Sequence, residues 1–144
     1  MPTPSIVSSF QWDDRYSVQV AAIDAQHQKI FSDINKLASC LEAKPELAVI
    51  EAIVDDMIDY VGYHFSTEEK LLAAHPDFSA HQARHRVFTD KTREFDRQLF
   101  ATKPAEMALS LFLFLGAWLQ NHILTEDRLY FDYLRANNLL PALG

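Results

Sequence analysis

The sequence predicts an all-α chain, an up-down-up-down antiparallel four-helix bundle with an extended N-terminal arm and a short C-terminal helix. Three observations carry this expectation. Only three glycines occur in 144 residues, and no useful stretch alternates β-branched and polar residues as a strand would. Apolar residues recur instead at alternating steps of four and three, the spacing that lines one face of a helix. Four such runs are separated by short proline-containing breaks, and long helices joined by short turns lie antiparallel to their neighbours.

Taken in order, residues 1–18 hold Pro2, Pro4 and the aromatic-rich FQWDDRY without a sustained helical period, which reads as the arm. The first helix, about 20–43, has the seam Ile23, His27, Ile30, Ile34, Leu37, Leu41, and Lys44-Pro45 ends it. The second, about 46–74, has Ile50, Val54, Met57, Val61, His64, Glu68, Leu71. His75-Pro76-Asp77 makes the turn, because the residue before proline is pushed out of helical geometry, and Asp77 or Ser79 can cap the next helix. That third helix, about 78–100, has Phe78, His81, His85, Phe88, Thr92, Phe95, Leu99. Thr102-Lys103-Pro104 breaks it, and the fourth helix runs from Pro104 to about His122 along Ala108, Leu111, Leu115, Trp118, His122. A shorter helix, about 126–137, ends on Asn137 or Asn138. The expected organisation is one domain over 1–144: arm 1–18, helical bundle 19–137, tail 138–144.

Composition narrows the function. A formal charge of −7 argues against nucleic acid, whose phosphates need a clustered basic surface. The stretch 107–119, MALSLFLFLGAWL, is too short for a bilayer span of about 20 apolar residues, so no membrane insertion is expected. Its apolar circumference is expected to meet a second copy of the chain or a protein recipient. Cys40 is the single cysteine and the first residues lack a basic, apolar leader, from which a cytoplasmic location is expected.

The seams are interrupted by residues that bind iron well: His27, His64, Glu68, His81, His85 and His122, joined by Asp127 just beyond. A lone histidine on an apolar face is usually a core residue satisfied by a hydrogen bond. That explanation weakens here, because five of the six histidines lie in the seams and two helices each carry a pair four apart. Buried imidazoles and carboxylates need partners, and a metal centre would supply them for all. Asp127 lies five residues after His122, about 140° off its direction in a regular helix, which predicts a π-type distortion between the two.

Five imidazoles and two carboxylates exceed what one ion accepts, so a dinuclear site is expected. Two octahedral ions offer about twelve positions. The histidines fill five, bridging carboxylates four, and a single-atom oxygen bridge two, leaving one vacancy for a small ligand at one metal. Imidazole and carboxylate without thiolate suit Fe, Mn or Zn, and binding dioxygen at that vacancy selects a redox metal.

The runs IDAQH (23–27), HFSTEE (64–69), HQARH (81–85) and WLQNHILTED (118–127), with WDDRYSV (12–18), resemble the hemerythrins, and among them the short bacterial single-domain form. The resemblance covers the whole chain. It implies two iron ions bridged by oxo or hydroxo, one held by His81, His85 and His122, the other by His27 and His64, with Glu68 and Asp127 bridging. It implies dioxygen as the ligand, bound at the two-histidine iron, and Phe65, Trp118, Leu119 and Ile123 as the pocket wall. The expected function is reversible O2 binding for carriage, storage or local supply in a bacterial cell. It is not expected to be an enzyme. The alternatives are O2 or redox sensing through a partner, and di-iron consumption of peroxide or nitric oxide. Two departures from the family pattern stand out: His75 precedes Pro76 where an aromatic is frequent, and Gln19 stands where glycine is common.

Overall fold

The computed structural model describes residues 12–42, 46–98 and 104–141. Four long helices, α1 (Ala21–Glu42), α2 (Leu47–Leu72), α3 (Phe78–Gln98) and α4 (Pro104–Asn121), precede a π-helical turn, His122–Asp127, and α5 (Arg128–Ala136). Around the bundle α1 packs on α2, α2 on α3, α3 on α4 and α4 on α1. The expected breaks at Lys44-Pro45 and Thr102-Lys103 lie outside the described residues, and Pro104 opens α4.

The seams face inward as their spacing requires. Ile23, Ile30, Ile34 and Leu37 of α1, and Ile50, Val54, Met57, Val61 and Leu71 of α2, are all buried. Each such side chain contributes about 1.5–3 kcal/mol by leaving water. Phe88 and Thr92 of α3 and Leu111 and Leu115 of α4 are buried as well, whereas Phe78 and Trp118 are only partly covered. The side chains of Leu41, Phe95 and Ala108, and residue Leu99, are not among those described.

The core divides into two apolar clusters; α1, α2 and α3 each cross from one to the other through polar seam residues, and α4 does so through its continuation into the π-helical turn and α5. On α1, Ile23 belongs to the smaller cluster and Ile30 to the larger, with His27 between. On α2 the order reverses, from Val61 and Phe65 in the larger cluster past Glu68 to Leu71 and Leu72 in the smaller. Along α3, Phe78 packs on the smaller and Phe88 belongs to the larger, and the path from Ile123 past Asp127 to Phe131 reverses once more. This alternation is the up-down-up-down topology, and it sets a polar layer between two dry ones.

Of the arm, the described residues 12–18 hold one 3-10 turn, Asp14–Tyr16, which Asp13 caps by accepting from the Arg15 N–H at 2.9 Å. Tyr16 meets Phe31 edge-on, with ring centroids 5.0 Å apart. Val18 is buried in the smaller cluster; its N–H donates to Asp24, and its carbonyl accepts from Arg135 of α5. Between these anchors Gln19 has φ 58°, in the left-handed region where glycine is favoured. A glycine there would take that conformation without the steric cost a side chain carries. At the other end α5 closes with Asn138 at φ 54°, the Leu139 N–H returning to the Leu134 carbonyl at 2.8 Å.

Among the described residues no helix is long and apolar enough to cross a membrane. In the apolar stretch of α4, Leu111, Phe112, Leu115 and Leu119 are buried, while Leu113 is half exposed.

Candidate metal centre

All seven residues singled out by their spacing meet in the polar layer. His27 comes from α1, His64 and Glu68 from α2, His81 and His85 from α3, and His122 and Asp127 from the two ends of the π-helical turn. Each is at most 3% exposed. The turn is where the five-residue gap required a distortion: the Arg128 N–H reaches back to the Ile123 carbonyl, adding a residue to the repeat. That extra residue brings Asp127 round to the histidine side.

The donor atoms fall into two groups that share both carboxylates. One oxygen of each carboxylate faces three histidines. His81 Nε2 is 2.7 Å from Glu68 Oε1 and 3.2 Å from Asp127 Oδ1, His85 Nε2 is 3.3 Å from Glu68 Oε1, and His122 Nε2 is 3.0 Å from Asp127 Oδ1. The other oxygens face two. His64 Nε2 is 3.0 Å from Glu68 Oε2, and His27 Nε2 is 3.3 Å from Asp127 Oδ2 and 3.5 Å from Glu68 Oε2. Within each group the donor atoms lie within 4.8 Å of one another.

Behind the rings stand partners that sequence reasoning passed over. Gln26 Oε1 lies 2.7 Å from His64 Nδ1, and Glu69 Oε2 lies 3.2 Å from His85 Nδ1. Glu126 Oε2 is 3.3 Å from His122 Nδ1 and 3.6 Å from His81 Nδ1, while Arg84 holds the other Glu126 oxygen at 3.0 Å. An Nδ1–H donated outward leaves the Nε2 lone pair facing the centre. A signal existed for three of them: Glu126 is four residues past His122, Gln26 three past Ile23 and Arg84 three past His81, so each shares a helix face with the seam. Glu69 carries no such mark.

The electrostatics are those of a site built around positive charge. Burial works against charging His27, His81 and His122, yet Asp127 and Glu68 prevail and lift them to about 9, about 9 and about 10. Burial also opposes ionisation of Glu68 and Asp127, and the surrounding histidines nevertheless hold both carboxyls well below their usual range. His64, with burial dominant, is pushed down. Even so, His27 Nδ1 and Nε2, Glu68 Oε2, His81 Nδ1 and both Asp127 oxygens are buried without a hydrogen-bond partner. His85 Nε2 and His122 Nε2 face each other at 3.0 Å, an approach that needs a proton or a cation between them. Orphaned donors of imidazole and carboxylate type fit a pair of cations bound between them.

Of the four residues expected to wall the pocket, two lie against ligand rings. Phe65 stacks on His85 at 3.8 Å and 3°, and Trp118 stacks on His122 at 4.3 Å and 17°. Leu119 and Ile123 are buried in the larger apolar cluster with Phe65. His75, the sixth histidine, which the sequence places in the turn before Pro76, lies elsewhere: it stacks on Tyr130 at 4.0 Å, and its Nδ1 accepts from the Asp77 N–H.

The model of the hemerythrin HHE cation binding domain matches residues 18–134, which is most of the chain. The chain belongs to the hemerythrin family. This hemerythrin is 30% identical over 128 residues to the bacteriohemerythrin of Stenotrophomonas maltophilia, covering 88% of this chain and 82% of the relative. It is 32% identical over 123 residues to that of Methylococcus capsulatus, covering 84% and 92%, and 27% identical over 128 residues to that of Clostridium acetobutylicum, covering 85% and 99%. Membership brings a di-iron centre and, at the level of the family, O2 binding; the His, Glu and Asp cluster supplies donors for the metal.

Proposed function

We propose that this hemerythrin binds O2 reversibly, as a carrier, store or local supplier in a bacterial cytoplasm, and that it is not an enzyme. His81, His85 and His122 would hold one iron, His27 and His64 the other, with Glu68 and Asp127 bridging beside an oxo or hydroxo bridge. One observation carries the reading: the two carboxylates divide their oxygens between three imidazoles and two, so one ion is a ligand short. Iron held there would supply the redox chemistry of reversible O2 binding. The chain supplies the rest. Nδ1 partners fix the ring orientations, and Phe65, Trp118, Leu119 and Ile123 keep water and stray protons from the open position.

The reading is tested by anaerobic reconstitution with ferrous iron, followed by a visible spectrum through repeated O2 addition and removal. An absorption band that comes and goes with O2 supports it. A band that appears once and decays to a stable oxidised spectrum contradicts it and favours redox sensing or turnover of peroxide or nitric oxide. The face of α4 that bears exposed Leu113 is proposed as the contact for a second subunit or a protein recipient. Sedimentation that finds only monomer at high concentration removes the subunit.

A further inference from the structure

Gly62 has no local reason to be glycine. It lies inside α2, where glycine is disfavoured against alanine, and its φ is negative. A Cβ placed on it would meet nothing within 4 Å. Packing and backbone geometry thus both permit a larger residue, and what remains is close approach of something to the helix backbone.

Gly62 lines an open groove of about 670 Å³ between α2 and α3, floored by Phe65 and His85 with Phe78 at one side. Lys70, Arg86 and Arg93 also line it, and none of the three has an ion-pair partner among the described residues. Of the two carboxylates present, Glu69 is engaged by His85 Nδ1, which leaves Asp90 against three cations. Such a concentration of positive charge is out of keeping with a chain of net charge −7. Because α2 and α3 run antiparallel, Lys70 and Phe78 lie toward one end of the groove, Gly62 and Arg93 toward the other, and Arg86 sits mid-way beside His85.

We propose that this groove binds a small anionic aromatic molecule, its phosphate or carboxylate between Lys70 and Arg86 and its ring lying along the backbone at Gly62. Arg93 is placed to stack its guanidinium on that ring. The occupant rests against His85. A redox-active member of the class, a fully reduced flavin, would there deliver two electrons to iron held at the centre and leave as oxidised flavin, its N5 proton and any proton on N1 passing to solvent. This second step rests on the di-iron reading; the binding does not.

The probe is flavin mononucleotide, measured by equilibrium dialysis against the iron-loaded full chain, with riboflavin as the form lacking phosphate. Saturable binding is expected, at least about tenfold weaker for riboflavin and for Gly62→Leu and Arg86→Glu, in variants whose helical circular dichroism and iron content are unchanged. Absence of saturable binding, or equal binding by wild type and both variants, overturns the proposal. Repeating the dialysis on metal-free chain keeps the groove readable if iron loading fails, so the two readings fail separately.

Discussion

The two halves of the centre share Glu68 and Asp127, yet what stands behind their histidines differs in kind. In the three-histidine half two outward nitrogens meet carboxylates, Glu69 behind His85 and Glu126, itself held by Arg84, behind His122, while His81 Nδ1 makes no hydrogen bond but lies 3.6 Å from Glu126. In the two-histidine half His64 meets the neutral amide of Gln26, and His27 Nδ1 has no hydrogen-bond partner. A carboxylate behind an imidazole raises its basicity and fixes its tautomer, whereas an amide does only the second. The difference teaches that the two metal positions are unequal beyond their ligand count. On the proposed reading, the three-histidine half would hold its ion more firmly and the other would leave a position open.

The variant with the largest expected effect strikes both halves together. Asp127→Ala removes the oxygen facing each group and should drop bound iron below two per chain by metal analysis; retention of two would overturn the shared-carboxylate geometry. Glu126→Gln sharpens the comparison by neutralising the partner of His81 and His122, with metal affinity falling about 10–100-fold in competition with a chelator. Gln26→Leu, acting on the neutral side, should cost less. If it costs as much, the asymmetry is not electrostatic.

Smaller effects come from outside the ligand set. Leu119→Ser opens the apolar wall and should speed autoxidation of the O2-loaded protein, and an unchanged rate would count against that wall. Gln19→Gly relieves a left-handed backbone in the arm and should raise stability by up to about 1 kcal/mol without touching iron content. A lowered melting temperature would show that the Gln19 side chain matters more than its φ.

These effects also mark how far the sequence could be read. The seams, the topology and the meeting of six of the seven donors followed from steps of three and four, because burial on a helix is periodic. The π-helical turn followed from a failure of that period, since a carboxylate five residues past His122 reaches the same centre only if the helix widens. The outer partners were not legible in the same way. Glu69 adjoins a ligand and points off the seam, and Arg84 finds Glu126 from another helix, 42 residues on. Contacts of that sort depend on how helices rotate against one another, which no single-helix pattern records. Gln19 lies between: the family's glycine hinted at an unusual backbone, and the positive φ supplies the cause.

The central claim is that seven side chains on four helices hold two ions in unequal halves. Its most direct test is an anaerobic ferrous titration of the metal-free chain near pH 7, following bound iron and released protons together. His27, His81 and His122 keep their protons up to about 9, 9 and 10 while the carboxylates alone face them, so iron must displace those protons, and its affinity should rise with pH. The expected result is a break at two irons per chain accompanied by proton release. A break at one, no saturable uptake, or uptake of iron without protons would contradict the account.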